Sequence, residues 1–156
     1  MLALEIPDFG TRNLEYLVLD YNGTLALDGE LLPGVAERLS RLSKKLAIHV
    51  VTGDTFGKAR QALGGILCEL TILPGRAQSA AKRKYVKKLG VSATVCVGNG
   101  RNDRLMLEVA ALAIAVVQTE GASPRTLEAA DIVVTDVRHA LDLLADPKRL
   151  EATLRG

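Results

Sequence analysis

Four short segments of the chain carry side chains suited to attack on phosphorus. "LVLDYNGTL" (17–25) runs three apolar residues into Asp20 and then places Asn22 and Thr24 behind it. "HVVTGD" (49–54) runs into Thr52, Gly53 and Asp54, and "GNGRND" (98–103) offers Asn99 between two glycines and then Asn102 and Asp103. Lys82 stands near the start of a helical segment, "KRKYVKKLG" (82–90). Phosphoryl chemistry needs a nucleophile, a cation held by oxygen ligands and donors for the phosphate oxygens, and this set contains each type. Taken singly, the segments have plainer readings. Asn22-Gly23 fits a simple turn, and Thr52 or Asp54, and Asn102 or Asp103, fit helix caps. A basic run such as the one around Lys82 is usually a solvated face. A cation this early in a helix opposes the helix dipole, however, so something other than the helix must favour it.

The elements that would position these residues alternate. "EYLVLD" (15–20), "LAIHVV" (46–51), "CELTIL" (68–73), "ATVCVG" (93–98), "LAIAVV" (112–117) and "DIVVT" (131–135) read as strands. Between them, helices are expected after Pro33-Gly34, across 55–63 with a stop at Gly64-Gly65, across 78–89 before Gly90, from "NDRLMLEVAA", and near 123–129. One or two more lie around Pro147. This order predicts one α/β domain over 1–156, a three-layer, doubly wound, mainly parallel sheet, with a short hairpin near 25–32 signalled by Asp28-Gly29. Such sheets bind ligands beyond the carboxyl ends of their strands. Asp20, Thr52 and the Asn99–Asp103 loop each follow a strand, and the third strand leads to the helix of Lys82. The joint order is what the plainer readings leave unexplained.

Composition narrows the class. The 156 residues are 48% hydrophobic and only 3% aromatic, an aliphatic core suited to buried parallel strands. Twenty basic and 18 acidic residues give a net charge of +2, which implies no strong field for nucleic acid or membrane. No apolar run reaches the length of a membrane span and no signal peptide is visible, so a cytoplasmic location is expected. Cys68 and Cys96 sit in apolar, strand-like runs and read as small buried thiols.

The four segments together resemble the motifs of the haloacid dehalogenase-like hydrolase superfamily. Within it they are similar to the soluble proteins that match the phosphorylation domain of P-type ATPases. "LVLDYNGTL" matches strand-Asp-x-Asp-x-Thr except at Asn22, and "HVVTGD" matches strand-Thr at Thr52. Lys82 fits the helical lysine, and "GNGRND" matches Gly-Asp-Gly-x-Asn-Asp except at Asn99. The likeness continues through "LEVAALAIAVV" and "EAADIVV". The resemblance implies a Rossmann-like fold of this superfamily and a Mg²⁺-dependent phosphohydrolase working through an aspartyl-phosphate on Asp20. It implies Asp20, Asn22, Thr52 and Lys82 as catalytic residues, and Thr52, Gly53, Lys82 and Asn102 as phosphate-binding residues. Asp20, the Asn22 carbonyl, Asn99 and Asp103 would hold Mg²⁺.

Two departures bear on activity. Asn22 replaces the carboxylate that would protonate the leaving group and activate water, and general acid–base catalysis typically contributes about 10²–10⁴-fold. Asn99 keeps an oxygen ligand but loses a charge, which weakens cation binding. The alternative reading is therefore a slow or degenerate member that binds phosphate or a protein partner. Neither the Asp20–Thr52 gap nor the Thr52–Lys82 gap has room for a cap domain. The site should be open to a bulky phosphorylated substrate or closed by a neighbouring subunit in a homo-oligomer. "GDTFGKA" lacks the spacing of a P-loop, and Asp103 would face the pyrophosphate in a dinucleotide loop. A phosphoacceptor at the end of the third strand, as in response-regulator receivers, is excluded by Leu73-Pro74-Gly75.

Overall fold

The computed structural model describes residues 1–156. The chain opens with an antiparallel hairpin, β1 (Leu2–Ile6) and β2 (Gly10–Leu14), which the strand pattern above leaves unassigned. Its signal is nevertheless present. Leu2, Leu4 and Ile6 are buried while Ala3 and Glu5 are exposed, the period-two alternation of a half-buried strand. Then come β3 (Tyr16–Leu19), the small hairpin β4 (Ala26–Leu27) and β5 (Glu30–Leu31), α1 (Val35–Leu42), β6 (Ala47–Thr52), α2 (Ala59–Ala62), β7 (Glu69–Ile72) and α3 (Gln78–Leu89). The remainder is β8 (Thr94–Gly98), α4 (Arg104–Val109), β9 (Leu112–Val116), α5 (Pro124–Glu128), β10 (Ile132–Val134), α6 (Val137–Ala145) and α7 (Pro147–Leu154). No helix is long and apolar enough to cross a membrane.

Six strands form one sheet in the order β10-β9-β8-β3-β6-β7, with every neighbouring pair parallel. β3 is central, and Val18 is in register with His49 of β6 and Cys96 of β8. Parallel pairing brings all carboxyl ends to one edge. The winding reverses beside β3, the position where open α/β sheets form their ligand crevice.

The two faces of the sheet differ in side-chain size. Leu17, Leu19, Ile48, Val50, Leu112 and Ile114 point into the larger core with α1, α6, α7 and the β1–β2 hairpin. Val18, Val51, Cys96, Ala113 and Ala115 face the other way, against Val86 of α3 and Met106 and Leu107 of α4. The small side chains on this second face leave room for the helix pair and for one long side chain, Lys82, which runs inward from α3.

The helix expected across 55–63 is a single turn, Ala59–Ala62. Asp54 (φ 48°) and Gly57 (φ 67°) take left-handed backbone conformations that no helix can include. The Asp54 carboxylate instead accepts from the N–H groups of Lys58 and Ala59, both at 3.1 Å, and so caps the turn that follows.

The packing of the small-residue face gives a direct test. Cys96→Leu adds volume where a fully buried side chain already meets the α3–α4 layer. It should destabilise the chain by about 1–3 kcal/mol, measured by urea unfolding.

Candidate active site

Asp20 is held by an extension of the sheet. Its N–H donates to the Val97 carbonyl at 3.0 Å, so the β3–β8 ladder runs one residue past β3 and fixes the carboxylate at the strand end. The Tyr21 carbonyl then accepts from the N–H groups of Thr24, Leu25 and Ala26 at 3.1, 2.8 and 3.0 Å, which curls the chain back. The buried Tyr21 hydroxyl donates to the Gly29 carbonyl at 2.8 Å and ties the β4–β5 hairpin to this loop. Thr24 Oγ1 lies 3.2 Å from Asp20 Oδ2 and 3.3 Å from Asn99 Oδ1. Two distant segments thereby share one hydroxyl.

Lys82 reaches the same point from α3. Gln78, Lys82 and Val86 are spaced by four and share the inward face of that helix, whereas Lys84, Lys87 and Lys88 are exposed. The basic run is thus a solvated face with one member turned in. Lys82 Nζ donates to Asp20 Oδ1 at 2.7 Å and to Asp103 Oδ1 at 2.6 Å, and its side chain is 0% exposed. Burial pushes the Lys82 ammonium down, but the charges of Asp103 and Asp20 more than offset this and hold it above its ordinary value. Burial raises Asp20 to about 6, reinforced by the charge of Asp103 and opposed by Lys82. Two carboxylates share one ammonium, and the surplus negative charge falls on Asp20.

Asp103, for which the resemblance implies a ligand role, has both carboxylate oxygens engaged by the protein. Its Oδ2 accepts from the N–H groups of Asn99 and Gly100, each at 2.9 Å, and its Oδ1 is taken by Lys82. The side chain is fully buried and faces the protein, so it clamps the 98–103 loop to Lys82. Lys82 is sealed in the same way. Both lie behind the wall of the cavity rather than in it.

That cavity, of about 350 Å³, is lined by Asp20, Asn22, Thr52, Gly53, Asn99 and Asn102. These are the remaining sequence-predicted site residues, drawn from three strand ends. Thr52 Oγ1 accepts from the Asp54 N–H at 3.0 Å, which leaves its hydroxyl hydrogen free to donate. Asn22 Oδ1 is buried with no hydrogen-bond partner. Nowhere in the chain do three or more His, Cys, Asp or Glu side chains converge on a metal-sized site. The carboxylates lining this cavity are those of Asp20 and Glu120, so a cation there would draw its other oxygens from neutral groups.

Four further side chains line the cavity that motif reasoning missed, Thr55, Phe56, Gln78 and Glu120, and the last two make contacts that shape it. Gln78 Oε1 accepts from Asn102 Nδ2 at 3.0 Å, which turns its Nε2 over Gly53. A Cβ at position 53 would lie 2.3 Å from that nitrogen, so only glycine admits this approach. Glu120 stands in the turn after β9, and its carboxylate covers Gly23 (φ 79°), where a Cβ would lie 2.1 Å from Oε2. The turn is braced by Gln118, whose Nε2 donates to the carbonyls of Gly23 (3.2 Å) and Thr24 (2.9 Å), and by Asn99 Nδ2 on the Gly121 carbonyl at 3.0 Å. Both residues left a signal. Gln78 lies one helical turn before Lys82, and Glu120 follows a strand.

No protein-family model matches the chain. An uncharacterized protein of Methanocaldococcus jannaschii is 49% identical over 61 residues, 39% of this chain and 66% of that protein. A second uncharacterized protein of the same organism is 44% identical over 39 residues, 25% of this chain and 89% of that protein. The chain belongs to one family with this second archaeal protein. It is also 26% identical over 138 residues to a phospholipid-transporting ATPase of Saccharomyces cerevisiae, matching 88% of this chain but only 10% of the ATPase.

Among solved structures, the chain is similar to a 3-deoxy-D-manno-octulosonate 8-phosphate phosphatase from Moraxella catarrhalis, solved with magnesium and phosphate. The TM-score is 0.72 at 16% identity, over 89% of this chain and 90% of that one. A cobalt-bound phosphatase of the same kind from Haemophilus influenzae gives 0.72 at 16%, over 92% and 94%. Phosphoserine phosphatase, as an analogue of its phospho-aspartyl intermediate, gives 0.63 at 18%, over 84% and 99%. The fold is thus the three-layer α/β architecture of haloacid dehalogenase-like phosphatases.

The charge balance at Asp20 sets a pH dependence. A carboxyl raised to about 6 in the folded chain favours folding at low pH, and that contribution is lost as pH rises through about 6. Protein stripped of divalent ions should therefore lose thermal stability across this range. In Asp20→Asn the loss should be smaller, as read by melting temperature against pH.

Proposed function

We propose that the chain is a Mg²⁺-dependent phosphohydrolase in which Asp20 is the nucleophile. The observation that carries this reading is the bridge from Lys82 Nζ to Asp20 and Asp103 at 2.7 and 2.6 Å. It fixes one carboxylate oxygen of Asp20 from behind and leaves the residue on the wall of a polar cavity at the sheet edge.

The residues present fit a hard divalent cation. Asp20, Asn22 and Asn99 supply oxygens to one cavity, one of those oxygens is buried without a partner, and Mg²⁺ prefers oxygen ligands. Bound there, the ion supplies positive charge to the phosphoryl oxygens and balances the surplus negative charge of the two aspartates. Asp103 is assigned to positioning, because its oxygens already serve Lys82 and the loop backbone.

In the first step Asp20 attacks phosphorus, a carboxylate–phosphorus bond forms and the bond to the leaving oxygen breaks. The Thr52 hydroxyl, the Gln78 amide turned over Gly53 and Asn102 face the phosphoryl oxygens. Lys82 holds the Asp20 carboxylate in place and offsets its charge. Water then cleaves the aspartyl-phosphate and releases inorganic phosphate. The Asn22 amide cannot protonate the leaving oxygen, so substrates whose leaving group departs as a stable anion fit best. Between Asp20 and Thr52 the chain builds only the β4–β5 hairpin, α1 and β6. The cavity is therefore open, consistent with a bulky substrate or with closure by a second copy of the chain.

Purified protein with Mg²⁺ should hydrolyse p-nitrophenyl phosphate, and Asp20→Asn should abolish this. Unchanged turnover in that variant would overturn the assignment of the nucleophile. The amides at Asn22 and Asn99 favour a second reading, a phosphate-binding protein without turnover. Mg²⁺-dependent binding of beryllium fluoride without hydrolysis would support a phosphoacceptor that does not turn over. Restoring the acid by Asn22→Asp should raise the hydrolysis rate, on the order of 10²-fold or more, in steady-state kinetics.

A further inference from the structure

Beside the catalytic cavity lies a larger cleft, of about 850 Å³, between the first turn of α3, the 3₁₀ turn Arg101–Asp103 and the start of α5. Three arginines from these last two segments and α4 line it, Arg101, Arg104 and Arg125, with Ser79 and Ser123 among them and no carboxylate. Arg104 pairs with Glu108 at 3.2 Å, outside the lining, whereas Arg101 and Arg125 form no ion pair. The first turn of α3 has no acidic residue and no side-chain cap, so its backbone N–H groups add positive potential to the same cleft. Arg101 and Arg125 thus share the cleft with Arg104 and have no acid of their own to offset the mutual repulsion. An anion with several oxygens, which guanidinium groups bind in paired hydrogen bonds, relieves that repulsion.

The cleft adjoins the catalytic cavity. Gln78 and Asn102 line both, and their mutual hydrogen bond at 3.0 Å forms the boundary. A molecule with one phosphate against Thr52 and Asp20 would have to extend past Gln78 and Asn102 to reach the arginine cleft. We infer that the cleft recognises a second phosphate group, so that the preferred substrate is a small molecule carrying two phosphates or a polyphosphate chain. The substrate clause rests on the phosphohydrolase reading, whereas the anion site does not.

The test uses the double variant Arg101→Gln/Arg125→Gln, neither position being part of the catalytic cavity. In calorimetry without added metal, the unaltered chain should bind tripolyphosphate more tightly than orthophosphate. The double variant should lose on the order of 10- to 100-fold of that affinity. Lys84→Gln/Lys87→Gln, which removes the same charge from exposed positions on α3, should retain it. In kinetics with Mg²⁺, the double variant should keep its rate on p-nitrophenyl phosphate and lose a similar factor in kcat/KM on a sugar bisphosphate. Equal binding by all three proteins, an equal loss in the lysine control, or preference for orthophosphate would overturn the site. Arginine-dependent tripolyphosphate binding without any hydrolysis would leave the site standing and remove the hydrolase reading. Hydrolysis of p-nitrophenyl phosphate with no arginine dependence in either assay would do the reverse.

Discussion

The ammonium of Lys82 is the constraint around which this site is built. A lysine at 0% exposure is stable only because two carboxylates meet it at 2.6 and 2.7 Å. Removing one partner of such a buried group costs about 3–5 kcal/mol, because the remaining charge is left without compensation. The bridge ties α3 to the end of β3 through Asp20 and to the loop after β8 through Asp103. Three elements far apart in sequence are thereby held at one point, and Asp20 inherits their rigidity.

The same arithmetic of charge shapes the surrounding site. One ammonium against two aspartates leaves a negative excess that burial magnifies at Asp20. The neighbours that could have increased it, Asn22 and Asn99, are amides. They add no charge to the like-charge repulsion around Asp20. Glu120, exposed above Gly23, brings a carboxylate to the cavity mouth. Its turn is held to the Asp20 loop through Gln118 and to the 98–103 loop through Asn99.

The sheet makes this arrangement possible through its unequal faces. Leucine, isoleucine and valine fill the side toward α1 and α6, whereas only valine, alanine and cysteine face α3 and α4. A uniformly large set on the second face would have no space for the fully buried Lys82 chain. The order of the sheet contributes as well, since β8, β3 and β6 are adjacent. Their ends deliver Asn99, Asp20 and Thr52 side by side.

The sequence alone determined the strand–helix alternation, the parallel sheet and the six strand ends, because buried parallel strands are short apolar runs bounded by turn residues. It also singled out Asp20, Thr52, Lys82 and the 98–103 loop, since polar residues directly after such runs must fall on one edge. The β1–β2 hairpin was written in the alternation of Leu2, Leu4 and Ile6 and in the turn residues Pro7, Asp8 and Gly10, but its second strand, Gly10–Leu14, buries only Leu14 and has no apolar run to mark it. The helix over 55–63 had the right pattern, yet the left-handed conformations of Asp54 and Gly57 come from the loop they close and not from helical propensity. Only the tertiary structure decided that Lys82, one of five basic residues in seven positions, is the one that turns inward. It alone gave Asp103 to the clamp and brought Gln78, Glu120 and the arginines to the two cavities. Periodicity assigns a residue to a face of its own element. Which oxygen meets which nitrogen depends on how elements far apart in the chain are packed, and no local pattern records that.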